Sequence, residues 1–239
     1  MHINPTKCET MVVDLGRCKK SSDQALVFSI NNHKITRIKK AKILGILFND
    51  KAKWEDHIDS ITNKFNFNLF IIKQLRSNGF NQKELIHAYI TFIRSKLEYC
   101  SPVWGSCIPV KLVNKLERCQ KRALSIILKK KIDRFNYNEV LDEVKLESLS
   151  VRIGKAQLKL GNKLFISKRF RNFLPKISDL DNRKVLRKRK GLFVENIYKE
   201  RYSQSFIPKL IKLLNEEYIE KETIFGWKQE QWEVVEGKF

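Results

Sequence analysis

The sequence predicts a mainly α-helical fold with a small antiparallel β-meander at its N-terminus, an α+β arrangement whose larger part is a helical bundle. Up to residue 50, short apolar runs are separated by turn residues. Beyond it, apolar residues recur every three or four positions, as on one face of a helix. The two patterns meet at residues 42–48, an apolar, β-branched run interrupted by Gly45, where a strand would bulge or admit another backbone.

Residues 1–50 contain the strand candidates. A short strand follows the Asn4-Pro5 turn, and the others cover residues 25–30, 34–38 and 42–48. Between the second and third, Asn31-Asn32 supplies residue types that accept the positive φ of a tight hairpin. We therefore expect one antiparallel meander and assign residues 1–50 to a first domain.

Three amphipathic helices are predicted in residues 51–132, the second domain. Their apolar stripes are Trp54, Ile58, Ile61, Phe65, Leu69, Ile72 and Leu75, then Leu85, Tyr89, Ile93, Leu97 and Cys100, then Leu112, Leu116, Cys119, Ala123 and Ile127. Gly79 ends the first helix, and Asn81 with Glu84 forms a capping box for the second. Pro102 breaks the second helix, and Pro109 suits the first turn of the third. Short connections favour packing of the three helices on one another.

Residues 133–239 form the third predicted domain, which is basic and mostly helical. One helix spans residues 149–164, where Gly154 and Gly161 each weaken it by ~1 kcal/mol relative to alanine. Another begins after Ser205, which is a candidate N-cap. The pattern is looser here, so the sequence does not predict how this region packs.

The charge balance indicates a polyanionic partner. The chain has 48 Lys and Arg against 26 Asp and Glu, a formal net charge of +22. Nucleic acid is the first partner to consider and an anionic membrane surface the second, with a basic protein that has no such partner as the alternative. The candidate contact residues are Lys115, Arg118, Lys121, Arg122, Arg183, Lys184, Arg187, Lys188, Arg189 and Lys190. The cluster at residues 183–190 also fits a solvated segment or a nuclear-import-like patch.

Other functional classes are weakly represented. No apolar run is long enough to cross a membrane and the N-terminus lacks the apolar core of a signal peptide, so an intracellular location in nucleus or cytoplasm is expected. Five cysteines without a Cys-x-x-Cys pair favour buried reduced thiols over disulfides or zinc knuckles. The four histidines are scattered, and no glycine-rich phosphate loop is present. The sequence predicts no cofactor and no metal site, and it leaves the oligomeric state open.

Two smaller groups have competing interpretations. Asp56, His57 and Asp59 lie opposite the apolar stripe of the first helix, which favours a solvated face over a metal site. Tyr99 and Trp104 could stack on bases, but aromatic residues beside a helix break are more often part of the core.

Several stretches, in this order, resemble the C-terminal portion of a LINE-type, non-long-terminal-repeat retrotransposon reverse transcriptase of the jockey-like kind. They are residues 3–9 (Ile-Asn-Pro-Thr-Lys-Cys-Glu), 42–46 (Lys-Ile-Leu-Gly-Ile), Trp54, His57-Ile58, 97–104 (Leu-Glu-Tyr-Cys-Ser-Pro-Val-Trp), 116–123 (Leu-Glu-Arg-Cys-Gln-Lys-Arg-Ala), 146–152 and 205–207. The resemblance covers nearly the whole chain, and it is the ordered set that is specific.

The resemblance implies a role for each part of the chain. Lys7 would be the palm lysine that protonates the leaving pyrophosphate. Residues 42–46, including Lys42 and Gly45, would be the hairpin that grips the primer, and the helices after them would form a thumb that holds the template–primer duplex through its backbone. The implied partner is an RNA–DNA or DNA duplex.

The chain differs from this family in the residues that carry out polymerisation. Template-directed polymerisation needs carboxylates that hold two divalent ions, Mg²⁺ in an intact polymerase. The family takes them from an early palm aspartate and an Asp-Asp hairpin, whereas this sequence has no Asp-Asp dipeptide and begins just after the expected place of that hairpin. We therefore expect a fragment without polymerase activity of its own, in which Lys7 is vestigial. A stand-alone nucleic-acid-binding module and a decayed gene product are the alternatives.

Overall fold

The computed structural model describes residues 3–13, 27–133, 135–167, 169 and 205–225. Within them helices dominate and the short strands all precede residue 50, which confirms the predicted mainly α, α+β fold class. The chain divides into two units, each described separately below. One comprises Met1–Tyr99 and Ile108–Val144, and the other comprises Cys100–Cys107 and Lys145–Phe239. The three-domain division expected from the sequence stays a prediction.

The strands of the first unit form three separate pairs. In chain order they are β1 Glu9–Thr10, β2 Ser29–Ile30, β3 His33–Lys34, β4 Thr36–Arg37, β5 Lys40–Ile43 and β6 Ile46–Asn49. β2–β3 and β5–β6 are antiparallel hairpins, but β1 pairs with β4 in parallel. The prediction of one antiparallel meander is therefore wrong, because the two hairpins of the described strands do not pair with each other and β4 pairs with the distant β1 instead.

The run at residues 42–48 is a hairpin and not one bulged strand, which corrects the prediction for Gly45. Lys42 pairs with Leu47 and Ile43 with Ile46, so the turn consists of Leu44 and Gly45. Both have positive φ, 48° and 87°, as a two-residue turn that matches strand twist requires. Asn31 and Asn32 have the same left-handed conformation in the β2–β3 turn, as predicted.

The helices follow the predicted periodicity, with two additions. They are α1 Glu55–Ser77, α2 Gln82–Ala88, a π-helical segment Tyr89–Arg94, α3 Ser95–Leu97, α4 Ser101–Trp104, α5 Val110–Leu128, α6 Tyr137–Glu143, α7 Leu149–Ile166 and α8 Phe206–Phe225. The capping box at Asn81 and Glu84 is present, and Gly79 has the φ of +85° typical of a helix end. The short helices α4 and α6 were not predicted, since neither is long enough to show a periodic stripe.

The core of the first unit forms where α1, α2 and α5 pack together. The third predicted stripe is entirely buried, from Leu112 to Ile127, and the second is buried except for Cys100. A buried hydrogen-bond chain crosses this core. The Tyr89 hydroxyl donates to Gln120 Oε1 at 2.8 Å, Gln120 Nε2 donates to the Tyr137 hydroxyl at 3.0 Å, and that hydroxyl donates to Glu117 Oε2 at 2.6 Å. It joins the π-helical segment, α5 and α6.

The described thiols match the cysteine prediction only in part. Cys8, Cys100, Cys107 and Cys119 are free, while Cys18 lies outside the described residues. Cys119 is buried in α5, and this burial raises the pKa of its thiol to about 11. The other three described cysteines are half-buried.

The second unit is built on α7, which contacts α4, the 3₁₀ turn Gly105–Cys107 and α8. Its core includes Leu210, Ile211 and Leu214 of α8. A Cβ atom on Gly161 would overlap Leu210 Cδ1 and lie 3.2 Å from Leu210 Cγ and 3.4 Å from Leu214 Cδ2. Helix propensity alone makes Gly161 a weak point of α7, but in the structure this glycine lets α7 and α8 approach closely.

The two glycines of α7 are predicted to respond in opposite ways to alanine. Gly154→Ala meets nothing within 4 Å, so it should raise the free energy of unfolding by up to ~1 kcal/mol through helix propensity. In Gly161→Ala the buried Leu210 side chain must shift, and overpacking of this kind costs ~1–3 kcal/mol against a propensity gain of at most ~1 kcal/mol. Urea unfolding of both variants measures the difference. Equal stabilisation by both would contradict the close α7–α8 packing.

Candidate nucleic-acid interface

One face of α5 carries a row of cations. Lys111, Lys115, Arg118 and Arg122, named here the basic row, recur at intervals of four, three and four residues, so they lie on one side of the helix. Lys111, Arg118 and Arg122 are exposed and Lys115 is half-buried. Within the described part of the chain, Lys115 is the only member of the row in an ion pair.

The opposite face of α5 sets the direction of this row. Leu116, Ala123 and Leu124 are fully buried, and Gln120 between them is held in the hydrogen-bond chain described above. A helix that buries one face presents the other to solvent. The cations therefore point outward because the apolar stripe points inward.

The seam between α5 and α1 fixes two members of the basic row. Lys115 Nζ lies 2.6 Å from Asp59 Oδ1, and an Arg122 Nη atom donates to Asn66 Oδ1 at 2.9 Å. Asp59 and Asn66 are seven residues apart on α1, two turns along the same side. The basic row thus follows the edge of α1, and its Arg122 end meets an uncharged partner.

Lys121 departs from the other predicted α5 cations. Its Nζ lies 4.4 Å from the centroid of the Tyr137 ring, a cation–π geometry. Lys115, Arg118 and Arg122 are thus brought together, whereas Lys121 lies on another side of α5 and faces α6.

The β5–β6 hairpin carries two further candidates, Lys42 and Gly45. Lys42 is exposed, and Leu44 beside Gly45 is 85% exposed at the tip. The Tyr99 hydroxyl donates to the Leu44 carbonyl at 3.0 Å, which ties the tip to the end of α3. Tyr99 is 51% exposed, so the prediction of a core role for it is wrong, while Trp104 is fully buried, as predicted.

The hairpin is also attached to the start of α1. The backbone N–H of Leu47 donates to His57 Nδ1 at 3.2 Å. Asp56 receives hydrogen bonds from Lys40 Nζ at 2.6 Å and Asn49 Nδ2 at 2.8 Å, and these donors lower the pKa of its carboxyl group. The solvated-face prediction is therefore wrong for His57, which is 3% exposed. It failed because the hairpin covers this side of α1.

The other candidates from the sequence are Lys7 and the cations of residues 183–190. Lys7 is exposed at the end of the 3₁₀ turn Pro5–Lys7. The candidates Arg183, Lys184, Arg187, Lys188, Arg189 and Lys190 lie outside the described residues. Among the residues that are described, no group of three or more His, Cys, Asp or Glu side chains could hold a metal ion. In that same part of the chain, no helix is both long and apolar enough to cross a membrane.

Two features of this surface were not predicted from sequence. Lys111 extends the basic row by one turn, and its spacing of four from Lys115 was the available signal. Phe67 and Phe70 of α1 are exposed. They fall outside the predicted stripe of that helix, which was a signal that they do not join the core.

No protein-family model, no curated protein and no solved structure matches this chain.

The attachment of the hairpin is predicted to depend on pH. Burial, followed by the charge of Lys64, lowers the pKa of His57 below its ordinary value of 6.5. At His57 the unfolded chain therefore binds more protons than the folded one between these two pKa values, so the contribution of His57 lowers stability as pH drops below about 6.5 and does not change with pH above it. Urea midpoints measured between pH 5 and 8 should show this loss.

A matched pair of variants isolates His57. In His57→Asn, the amide oxygen replaces Nδ1 as the acceptor for Leu47 without titrating, so the loss of stability at low pH should disappear. His87→Asn removes an exposed histidine and should keep the wild-type profile. An unchanged profile in His57→Asn would show that His57 does not cause the pH dependence.

Proposed function

We propose that this chain binds the sugar–phosphate backbone of duplex nucleic acid through the basic row of α5, as the thumb-like part of a reverse-transcriptase-related protein. The observation that carries the proposal is the outward row of four cations, among which only Lys115 forms an ion pair with another described residue. Phosphate contacts of this kind are independent of base sequence. Binding should therefore depend on duplex shape and charge.

The dimensions of the basic row suit a duplex. Lys111 and Arg122 are eleven residues apart, which is about 16 Å along a helix. Duplex DNA carries one phosphate charge per ~1.7 Å of axis, so each cation of the row has phosphates within reach. Glu117, the one acidic residue of α5, accepts a hydrogen bond from Tyr137 and lies off the row.

The resemblance to LINE-type reverse transcriptases supports the choice of a template–primer duplex as ligand. In that family a primer-gripping hairpin precedes the thumb helices. Here the β5–β6 hairpin, with Lys42 and Gly45, precedes α1, α2 and α5. A stand-alone module that binds any duplex is the second candidate, and it needs only the basic row.

Polymerisation by this chain alone is not part of the proposal. The sequence has no Asp-Asp dipeptide to supply the family's metal-binding carboxylates. Lys7 could act as a general acid only if a pyrophosphate leaving group forms beside it. That reaction requires metal ions, which another segment would have to bind. Primer extension with Mg²⁺ by this chain would contradict this part of the proposal.

Loss of two cations should reduce the salt dependence of binding. In Arg118→Gln with Arg122→Gln, the slope of log K against log salt on a DNA duplex should become shallower by about 1.8, since each neutralised phosphate contributes ~0.9. Fluorescence anisotropy with a labelled duplex across a salt series measures the slope. An RNA–DNA hybrid in parallel distinguishes a template–primer ligand from any duplex.

The control removes the same charge elsewhere. Lys83→Gln with Lys159→Gln changes two exposed lysines on α2 and α7 and should leave the slope near the wild-type value. Equal losses in both double variants would mean that net charge, and not the basic row, determines binding. Binding that ignores salt would exclude the backbone-binding function altogether.

A further inference from the structure

The outer side of α1 presents two phenylalanines to solvent. Phe67 is 74% exposed and Phe70 is 55% exposed, and Ile71 beside them is 39% exposed. The same helix buries Phe65, Leu69 and Ile72 on its inner side. The phenylalanine pair, Phe67 and Phe70, is therefore additional to the core of the first unit.

This pair lies next to the basic row. Asn66, which accepts the hydrogen bond from Arg122, directly precedes Phe67 and is four residues before Phe70. Residues four apart on a helix lie on the same side, one turn from each other. Phe70 is thus one turn along α1 from the point where Arg122 is held.

The charge around the pair is also positive. Residues 60–77 of α1 contain Lys64, Lys73 and Arg76 and no acidic residue. Lys64 and Lys73 are exposed, three residues before Phe67 and three residues after Phe70. An apolar partner would gain nothing from these cations, whereas a polyanion with flat aromatic groups complements both features.

We propose that Phe67 and Phe70 stack on unpaired bases of a nucleic-acid strand whose phosphates lie along the basic row. This inference rests on the proposed function and adds a preference for the junction between duplex and single strand. Every base has a π-face, so stacking is tolerant of sequence, as phosphate contacts are. In a blunt duplex the bases are paired and stacked on one another. We therefore expect Phe67 and Phe70 to contribute nothing to the affinity for a blunt duplex.

The test compares two labelled oligonucleotides, a blunt duplex and the same duplex with a single-stranded extension on either strand. Phe67→Leu with Phe70→Leu keeps the apolar character but removes both rings. It should weaken binding to the extended duplex by about 5-fold or more, the lower end of the range for base–aromatic stacking. Binding to the blunt duplex should be unchanged. Phe67→Tyr with Phe70→Tyr should bind both as the wild type does.

Controls separate stacking from other effects. Phe92→Leu changes a residue of the π-helical segment that is 63% exposed, and it should not alter binding to either oligonucleotide. The leucine variant should unfold at the wild-type urea midpoint.

Two outcomes would overturn the inference in different ways. If the leucine variant binds the extended duplex as tightly as the wild type does, the surface contacts something other than bases, such as an apolar protein segment. The backbone-binding function would remain if salt-dependent binding to the blunt duplex persists. If the wild type binds neither oligonucleotide, the proposed function fails and this inference fails with it.

Discussion

Burial of one face of α5 is the constraint on which the candidate interface depends. Leu112, Leu116, Ala123 and Ile127 fill the core of the first unit, and each buried aliphatic side chain of leucine size contributes roughly 1.5–3 kcal/mol. The helix cannot rotate about its axis without exposing them. Apolar packing therefore sets the side of α5 on which the basic row lies.

A polar element stands in the middle of this apolar face. Gln120 is fully buried, and both its amide oxygen and its amide nitrogen are hydrogen-bonded, to Tyr89 and Tyr137. A buried amide without partners would be costly, so this arrangement restricts how α5 can pack against its neighbours. The same hydrogen-bond chain holds Tyr137, whose ring lies 4.4 Å from Lys121 Nζ on a side of α5 away from the basic row.

The parts that could be predicted from the sequence are those governed by local spacing. The long stripes of α1 and α5 and the capping box at Asn81 follow from residues a few positions apart. The parallel β1–β4 pair, the burial of His57 by the hairpin and the contact of Tyr99 with Leu44 join residues distant in sequence. Two-residue strands carry too little pattern to reveal such partners. Gly161 shows the same limit, because its role depends on a helix about fifty residues further along the chain.

In the candidate interface, too, some features follow from local spacing and others depend on contacts between residues distant in sequence. Helical spacing alone places Lys115, Arg118 and Arg122 on one face, but the partners on α1 decide how each is used. Asp59 offsets the charge of Lys115, while Asn66 orients Arg122 without offsetting its charge, and no ion pair joins Arg122 to another described residue. Positive charge therefore accumulates toward the end of the row nearest the phenylalanine pair. A polyanion placed there would relieve repulsion among Arg118, Arg122 and the α1 cations, so the surface combines electrostatic attraction with flat apolar groups at the same end.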